Sequence, residues 1–201
     1  MPNLMDHQLR VASVAQTICE NFELPIRKDD VVLACLLHDM GNIIKFDLTH
    51  FPQFLEPQGL EYWEKVKAEY IVRYGKNEHR ATEEIARELG ASDAVMQLLA
   101  GTGYSKLDRT EAEASYERKI VAYSDMRVGP HGVISIAERV EDGRRRYAGK
   151  KDKAISSGSF DRLNSALMAV EKQIFAHTSI RPEDIADASL GDTVDKLRKA
   201  S

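Results

Sequence analysis

Apolar residues recur at intervals of three and four along most of the chain, which is the spacing of one face of an α-helix. The first such face comprises Leu4, Val11, Val14, Ala15 and Ile18. It predicts a helix over residues 4–19. The next segment, "KDDVVLACLLHDMG", begins with acidic residues that suit the positive end of a helix dipole and then becomes almost wholly apolar. A helix that is apolar on all sides belongs in the centre of a domain.

The same spacing, together with terminal residues, predicts further helices. The segment "EYWEKVKAEYIVRYG" stops at Gly75, a suitable C-terminal cap, and "NEHRATEEIARELG" begins with Asn77, a capping residue. Helices are also predicted in "SDAVMQLLAG", "EAEASYERKIVAYSDMR", "GVISIAERVEDGRRRY", "FDRLNSALMAVEKQIFAH" and "RPEDIADASLGDTVDKLRKA". The β-branched start of "GVISIAERV" would also suit a strand, but its later apolar residues favour a helix.

Two segments lack a sustained period. Residues 43–60 contain two prolines among residues of mixed polarity, which predicts a loop or lid with at most short helical turns. "AGKKDKAISSGSF" is rich in lysine, serine and glycine and predicts a flexible linker or mobile loop. Because no strand pair is evident, the predicted fold is all-α, with one domain over residues 1–150 and a C-terminal helical extension over residues 151–201.

The extension carries an apolar stripe that suits either the core of this chain or a partner subunit. Its members are Leu163, Leu167, Val170 and Ile174. If the stripe were exposed in the monomer, it would favour a homodimer, because large apolar patches mark interaction surfaces.

Composition and charge narrow the partners and the compartment. The net charge of −4 argues against a general affinity for nucleic acid or for an anionic membrane surface, so a phosphate-bearing ligand would need locally placed positive charge. Cys19 and Cys35 lie among apolar residues, which is typical of small buried hydrophobes rather than of a disulfide. No segment has the pattern of a signal peptide or the length of a membrane span, so we expect a cytoplasmic protein.

The motif "LLHDMGN" places His38 and Asp39 at the end of the most apolar helix. Burying an imidazole beside a carboxylate is unfavourable unless both are paired, because each loses hydration. A bound cation is one solution, since neutral imidazole and carboxylate are good ligands for zinc, manganese, iron and similar metals. Adjacent helical residues point about 100° apart and can approach one ion from neighbouring directions.

Two further polar residues in apolar helices complete a recognisable order along the chain. His7 lies in "HQLRVASVAQTI", the His38–Asp39 pair ends "ACLLHDMG", and Asp125 lies in "RKIVAYSDMRV". Over roughly residues 5–148, this pattern resembles the HD-domain superfamily of metal-dependent phosphohydrolases. The resemblance implies an HD-domain-like helical bundle in which these four side chains converge on a divalent metal. For the isolated residues, the alternatives are a helix cap at Asp39 and a structural ion pair at Asp125.

The chain departs from the two-metal branches of that superfamily. His79 resembles their additional metal-binding histidine, although it would equally suit the start of a solvated helix. Those branches, including the one that cleaves diadenosine tetraphosphate, normally have a further histidine in the next segment, often as His-Thr-Thr-Gly. This chain has Ala100-Gly101-Thr102-Gly103 there. The lysine that often follows the His–Asp pair is also replaced, by Asn42, with Lys45 one turn later.

The resemblance implies hydrolysis of a phosphate ester by water that is activated by manganese, cobalt, nickel, zinc or iron. A nucleotide or another small phosphorylated metabolite is the expected substrate. Arg10, one turn after His7, and Lys45 are candidates to bind phosphate, Arg127 is a weaker one, and Asp39 is a candidate to orient water. For the three cations, the alternative is an ordinary surface charge.

The sequence is also compatible with two other classes of function. Some HD-domain relatives are di-iron oxygenases, which need a fuller set of histidines. A non-catalytic metal-binding signalling module would use the C-terminal helices as its output or dimer surface. A cyclic-dinucleotide phosphodiesterase is disfavoured, because no Gly-Tyr-Pro motif follows the His–Asp pair.

Overall fold

The computed structural model describes residues 1–50, 52–147 and 157–200. Its α-helices are α1 (Pro2–Glu20), α2 (Lys28–Leu37), α3 (Gly59–Tyr74), α4 (Glu78–Glu88), α5 (Asp93–Gly101), α6 (Leu107–Ala112), α7 (Tyr116–Met126), α8 (Ile136–Tyr147), α9 (Ser157–Phe175) and α10 (Asp187–Ala200). Short 3-10 helices cover Asn42–Ile44, Pro52–Leu55, Tyr104–Lys106 and Pro182–Asp184. The predicted all-α fold is confirmed.

Terminal residues end or begin several helices as predicted. Gly75 ends α3 with a φ of 82°, a left-handed conformation that glycine adopts without a steric penalty. The side chain of Asn77 caps α4 by accepting a 2.8 Å hydrogen bond from the backbone nitrogen of Arg80. Asp29 and Asp30 lie in the first turn of α2, where they favour the helix dipole. Local sequence therefore determines these boundaries.

Three predicted elements differ from the structure. The single helix expected in "EAEASYERKIVAYSDMR" is interrupted, because Ser115 caps a new helix by accepting a hydrogen bond from the Arg118 backbone nitrogen. The prediction of no strand pair was wrong in one place: β1 (Val128–Gly129) and β2 (Gly132–Val133) form a short antiparallel hairpin. The last predicted helix is preceded by a separate 3-10 turn, Pro182–Asp184. Most of the predicted linker, residues 148–156, lies outside the described part of the chain.

The main hydrophobic core is built around α1, α2 and α7 and also includes α9. Both cysteines are buried in it, as predicted, and both are free. The apolar stripe of α9 is buried there as well: Leu163, Leu167, Val170 and Ile174 are each at most 4% exposed. In this structure the stripe therefore serves the core of its own chain, although a domain boundary at residue 150 stays a prediction. Among the described helices, none has the length and apolarity to cross a bilayer.

A second apolar cluster joins residues 43–48 and Leu55 to α3 and α4. Its buried members are Ile43, Ile44, Leu48, Leu55, Trp63, Tyr74, Ala81 and Ile85. The indole of Trp63 donates a 3.0 Å hydrogen bond to the Leu55 carbonyl, which fastens the 3-10 turn to α3. From this turn, the ring of Phe54 reaches His131 at the tip of the β-hairpin, with 6.2 Å between centroids. A lid function for residues 43–60 stays a prediction.

Candidate metal centre

Three core helices bring the four predicted ligands to one place. His7 lies on α1, His38 is the C-terminal cap of α2 with Asp39 next to it, and Asp125 lies on α7. Helices α1, α2 and α7 pack directly on one another. Because these helices form the centre of the core, the ends that carry the polar residues are held in fixed relative positions.

The imidazoles and carboxylates lie at closely similar distances. Nε2 of His7 is 3.7 Å from Oδ2 of Asp39 and 3.4 Å from Oδ1 of Asp125. Nε2 of His38 is 3.6 Å from Oδ1 of Asp39 and 3.4 Å from Oδ1 of Asp125. Donor atoms of His7, His38 and Asp39 all lie within 4.8 Å of one another, as a shared ion requires. Asp125 contributes a fourth donor beside both rings.

The hydrogen bonding of His38 leaves one ring nitrogen for a ligand. Nδ1 lies 2.7 Å from the carbonyl oxygen of Cys35, so Nδ1 must carry the hydrogen. In the neutral ring, Nε2 then presents a lone pair towards two carboxylates. That nitrogen is buried and has no hydrogen-bond partner. A lone pair that faces negative oxygens needs a proton or a cation between them.

The distances between the donor atoms distinguish a shared proton from a bound cation. Ordinary N–H···O hydrogen bonds measure about 2.7–3.2 Å, shorter than the four distances here. Ligands about 2.1 Å from a cation are separated by roughly 3.0–3.4 Å in octahedral or tetrahedral coordination. The observed 3.4–3.7 Å is close to that range. Two imidazoles and two carboxylates are also a suitable donor set for a divalent transition metal. The residues therefore fit such an ion.

The electrostatics of the group also favour positive charge. Burial by itself would lower the pKa of His38, but Asp39 and Asp125 outweigh burial and raise this pKa to about 9. Burial would likewise raise the pKa of Asp125, yet the imidazoles of His38 and His7 hold it well below its usual range. The Asp125 carboxylate is therefore ionised and attracts a cation, and a metal ion would displace the proton from His38.

A comparison with family models agrees with this geometry. The model described as HD domain matches residues 4–125, which is more than half of the chain and ends at the fourth donor. The chain belongs to the HD-domain family. Most members of this superfamily are metal-dependent phosphohydrolases. No curated protein and no solved structure gives a significant match to the chain.

The glycine of the HD motif, Gly41, has a packing function. A Cβ atom at this position would lie 2.3 Å from the backbone oxygen of Glu78 and 2.8 Å from the backbone nitrogen of Thr82. The Gly41 amide donates a 2.9 Å hydrogen bond to the Thr82 hydroxyl. Glycine at this position therefore lets the first turn of α4 pack against the His38–Asp39 motif. The glycine is needed for this close backbone contact and not for its conformational freedom.

The remaining predicted site residues, His79, Lys45 and Arg10, do not belong to the group of His7, His38 and Asp39 whose donor atoms lie within 4.8 Å of one another. His79 is at the start of α4 with a side chain 62% exposed, and its Nε2 lies 3.7 Å from Glu78. Lys45 pairs with the same carboxylate, also at 3.7 Å. Arg10 lies 3.3 Å from Asp187 of α10. A second-metal role for His79 and phosphate-binding roles for Lys45 and Arg10 stay predictions.

Arg127, considered from sequence as a weaker phosphate ligand, is buried in a different network. It is 3% exposed, and its guanidinium donates to the carbonyls of Ile134, Pro182 and Ile185 and to the hydroxyl of Tyr123. All of these partners belong to the protein. The sequence gave one signal for this: Arg127 follows Asp125 by two residues, and helical residues two apart do not lie on the same face.

Arg139 supports the centre in a way that the sequence did not indicate. From α8, its side chain donates to the backbone oxygens of Asp125 and Met126, at 3.2 and 2.8 Å, and to that of Val128. The Asp125 and Met126 carbonyls belong to the last turn of α7, which has no intrahelical donors for them, and the Val128 carbonyl belongs to β1. The arginine therefore holds the turn that carries Asp125. Nothing in the spacing of "IAERVEDGRRRY" separates this arginine from its exposed neighbours.

Proposed function

We propose that this protein is a metal-dependent phosphohydrolase that acts on a nucleotide or another small phosphorylated metabolite. One observation carries the proposal: the buried Nε2 of His38 has no hydrogen-bond partner, although two carboxylates and a second imidazole surround it. A structural core leaves few such groups without partners. Membership of the HD-domain family supports phosphate-ester hydrolysis as the chemistry.

In this proposal His7, His38, Asp39 and Asp125 hold manganese, cobalt, nickel, zinc or iron as a divalent ion. When bound, such an ion lowers the pKa of a coordinated water and withdraws charge from phosphoryl oxygens. The Cys35 carbonyl keeps His38 in the tautomer whose Nε2 is a ligand. Asp39 is 21% exposed, so its carboxylate is accessible from solvent and could orient the attacking water.

Positive side chains near the group would bind the substrate. Arg10 shares a helix face with His7, and its side chain is 33% exposed. Lys45 follows the HD motif and is 46% exposed. Each is paired with one carboxylate and remains accessible to solvent, so each can also bind a phosphate oxygen.

Removal and return of the metal test the proposal. Purified protein would be treated with chelator, reloaded separately with the five metals and offered a panel of nucleotides and phosphomonoesters, with phosphate release as the measurement. Activity should depend on the metal and be lost in Asp39→Asn. The matched control is Asp29→Asn, which changes an exposed aspartate at the opposite end of α2 and should leave activity intact.

Each other outcome points to a different function. Phosphate release that survives both the chelator and Asp39→Asn would rule out the proposed mechanism. Oxygen uptake by the iron-loaded protein would favour the oxygenase, and stoichiometric metal binding without turnover of any substrate would favour the binding module. Metal analysis of the untreated protein bears on all three.

A further inference from the structure

The C-terminal extension contacts the surroundings of His7, His38, Asp39 and Asp125, here called the metal group, through Asp187, the first residue of α10. Its Oδ1 lies 3.3 Å from Nε of Arg10 on α1. Its Oδ2 accepts a 2.9 Å hydrogen bond from the backbone nitrogen of Val133 in β2. The β-hairpin itself begins three residues after Asp125. One carboxylate therefore connects α10 with the two elements beside the metal group.

The position of this carboxylate is closely constrained. An added Cβ at Gly132 would lie 2.2 Å from Oδ2 of Asp187, so the carboxylate packs directly against the glycine backbone. The positive end of the α10 dipole favours a negative charge at this residue. The helix is anchored by Leu190, 1% exposed, and the chain before it by Ile185, 2% exposed. Asp187 is thus a fixed point against which a flexible side chain can be oriented.

Asp187 contacts Arg10 at Nε rather than at the terminal nitrogens of the guanidinium. Nε is the guanidinium nitrogen that lies 3.3 Å from Asp187, and within the described residues the Arg10 side chain makes no hydrogen bond and no ion pair with another residue. The two terminal nitrogens therefore remain available. They can donate parallel hydrogen bonds to two oxygens of one phosphate, an arrangement that suits arginine better than lysine. Because Arg10 follows His7 by three residues, it lies on the same face of α1.

Stability does not account for this contact. The side chains of Arg10 and Asp187 are 33% and 52% exposed, and ion pairs at such positions contribute only about 0–1 kcal/mol. Helix α10 has a second ion pair with α1, between Arg198 and Asp6 at 2.8 Å. Buried apolar residues also hold the helix, so the Arg10–Asp187 contact is not needed to dock it.

We propose that Asp187 is a positioning residue for phosphate recognition: it fixes Arg10 through Nε and leaves the terminal nitrogens of the guanidinium for the substrate phosphate. The substrate site then depends on the C-terminal extension, which lies beyond the part of the chain matched by the HD-domain model. The inference rests on the proposed function and assigns its substrate contact.

Four variants test this role: Asp187→Asn, Arg10→Gln, the double variant and Arg198→Gln. Asparagine keeps an acceptor for the Val133 amide but loses the charge that holds Arg10. Manganese-loaded proteins would be titrated with inorganic phosphate by calorimetry, and KM and kcat would be measured with a substrate from the panel. Arg198→Gln is the matched control, because it removes the other ion pair between the same two helices.

We expect Asp187→Asn to weaken phosphate binding and raise KM by about tenfold, with kcat and manganese content nearly unchanged. Arg10→Gln should weaken binding at least as much, and Asp187→Asn should add nothing in the Arg10→Gln background. Arg198→Gln should behave as the wild type. Unchanged phosphate binding in Asp187→Asn, an equal further loss in the double variant, or the same loss in Arg198→Gln would overturn the inference.

The two proposals fail in different ways. If the wild-type protein releases phosphate but Asp187→Asn has no effect on binding or KM, only the positioning role falls. If the wild type binds phosphate in a manner that depends on Asp187 but hydrolyses no substrate, the positioning role stands and the phosphohydrolase proposal falls. If the wild-type protein neither binds phosphate nor releases it from any substrate, both are overturned.

Discussion

Two polar clusters lie on opposite sides of the same helical turn, and they differ in how their polar groups are satisfied. Arg127, at the end of α7, meets three backbone carbonyls and the Tyr123 hydroxyl, which itself donates to Glu171 at 2.6 Å. Two residues earlier, Asp125 faces His7 and His38 at 3.4 Å, and Nε2 of His38 has no hydrogen-bond partner. The first cluster is complete within the chain, whereas the second is not.

This difference separates a structural network from a candidate binding site. A buried network in which every donor has an acceptor fixes how elements pack, and here it ties α7 to α9 and to the segment before α10. A buried cluster with an unpaired nitrogen and converging negative charge is costly unless another group completes it. Buried polarity alone does not identify a functional site. What makes this cluster a candidate site is that its nitrogen without a hydrogen-bond partner lies among several ionisable groups.

Asp125→Asn should produce the largest effect, because it removes one ligand and one negative charge from the incomplete cluster. We expect metal content to fall well below one ion per chain and phosphate release to fall by about 10³-fold, or about 4 kcal/mol. Metal analysis and initial rates measure the two losses. Circular dichroism should show an intact fold. A variant that keeps both its metal and its rate would show that Asp125 belongs with the structural cluster.

Arg127→Met should affect stability instead. Methionine leaves the Pro182 and Ile185 carbonyls without their buried donor, and we expect the free energy of unfolding to fall by about 3 kcal/mol. Urea unfolding measures the loss. The control, Arg109→Met, removes an exposed ion pair with Glu113 and should change stability by at most about 0.5 kcal/mol. If Arg127→Met instead lost its metal at unchanged stability, the proposed separation of the two clusters would be wrong.

The sequence predicted the part of the fold in which local signals and burial agree. Helix α1 was predicted from its apolar periodicity, α2 from its acidic start and the apolar run that follows, and α4 from its capping residue Asn77. His7, the His38–Asp39 pair and Asp125 were singled out because ionisable groups in strongly apolar helices need a compensating partner. The structure brings these four side chains together, as expected, although their assignment as ligands is still a proposal.

Contacts between distant segments could not be predicted in the same way. Arg10 and Arg127 have similar local settings, yet one meets a carboxylate of α10 and the other meets carbonyls around Pro182. Those partners are more than fifty residues away, and no periodicity encodes the pairing. The break at Ser115 was missed for a different reason: the apolar spacing continues across it, and the capping hydrogen bond decides the boundary.

Removal of the metal should lower the free energy of unfolding, and the size of this change should differ between variants of the two clusters. If the native state binds manganese and the unfolded chain does not, manganese at about one hundred times its Kd should stabilise the fold by about 2.7 kcal/mol. Thermal unfolding with and without chelator measures this shift. Arg127→Met should keep the full shift from its lower starting point, and Asp125→Asn should show almost none. Equal shifts in both variants would place metal binding elsewhere.

Arg139→Lys should have the smallest effect, because Arg139 supports α7 between the two clusters. Lysine keeps the positive charge near the C-terminal carbonyls but cannot donate to the oxygens of Asp125, Met126 and Val128 as a fork. We expect a loss of about 1 kcal/mol in urea unfolding and a drop of a few-fold in manganese affinity, with stoichiometry unchanged. Arg144→Lys, an exposed change on the same helix, should alter neither. If manganese affinity stayed constant while stability fell, the turn that carries Asp125 would tolerate movement, and the core packing of α1, α2 and α7 would suffice to hold the metal centre.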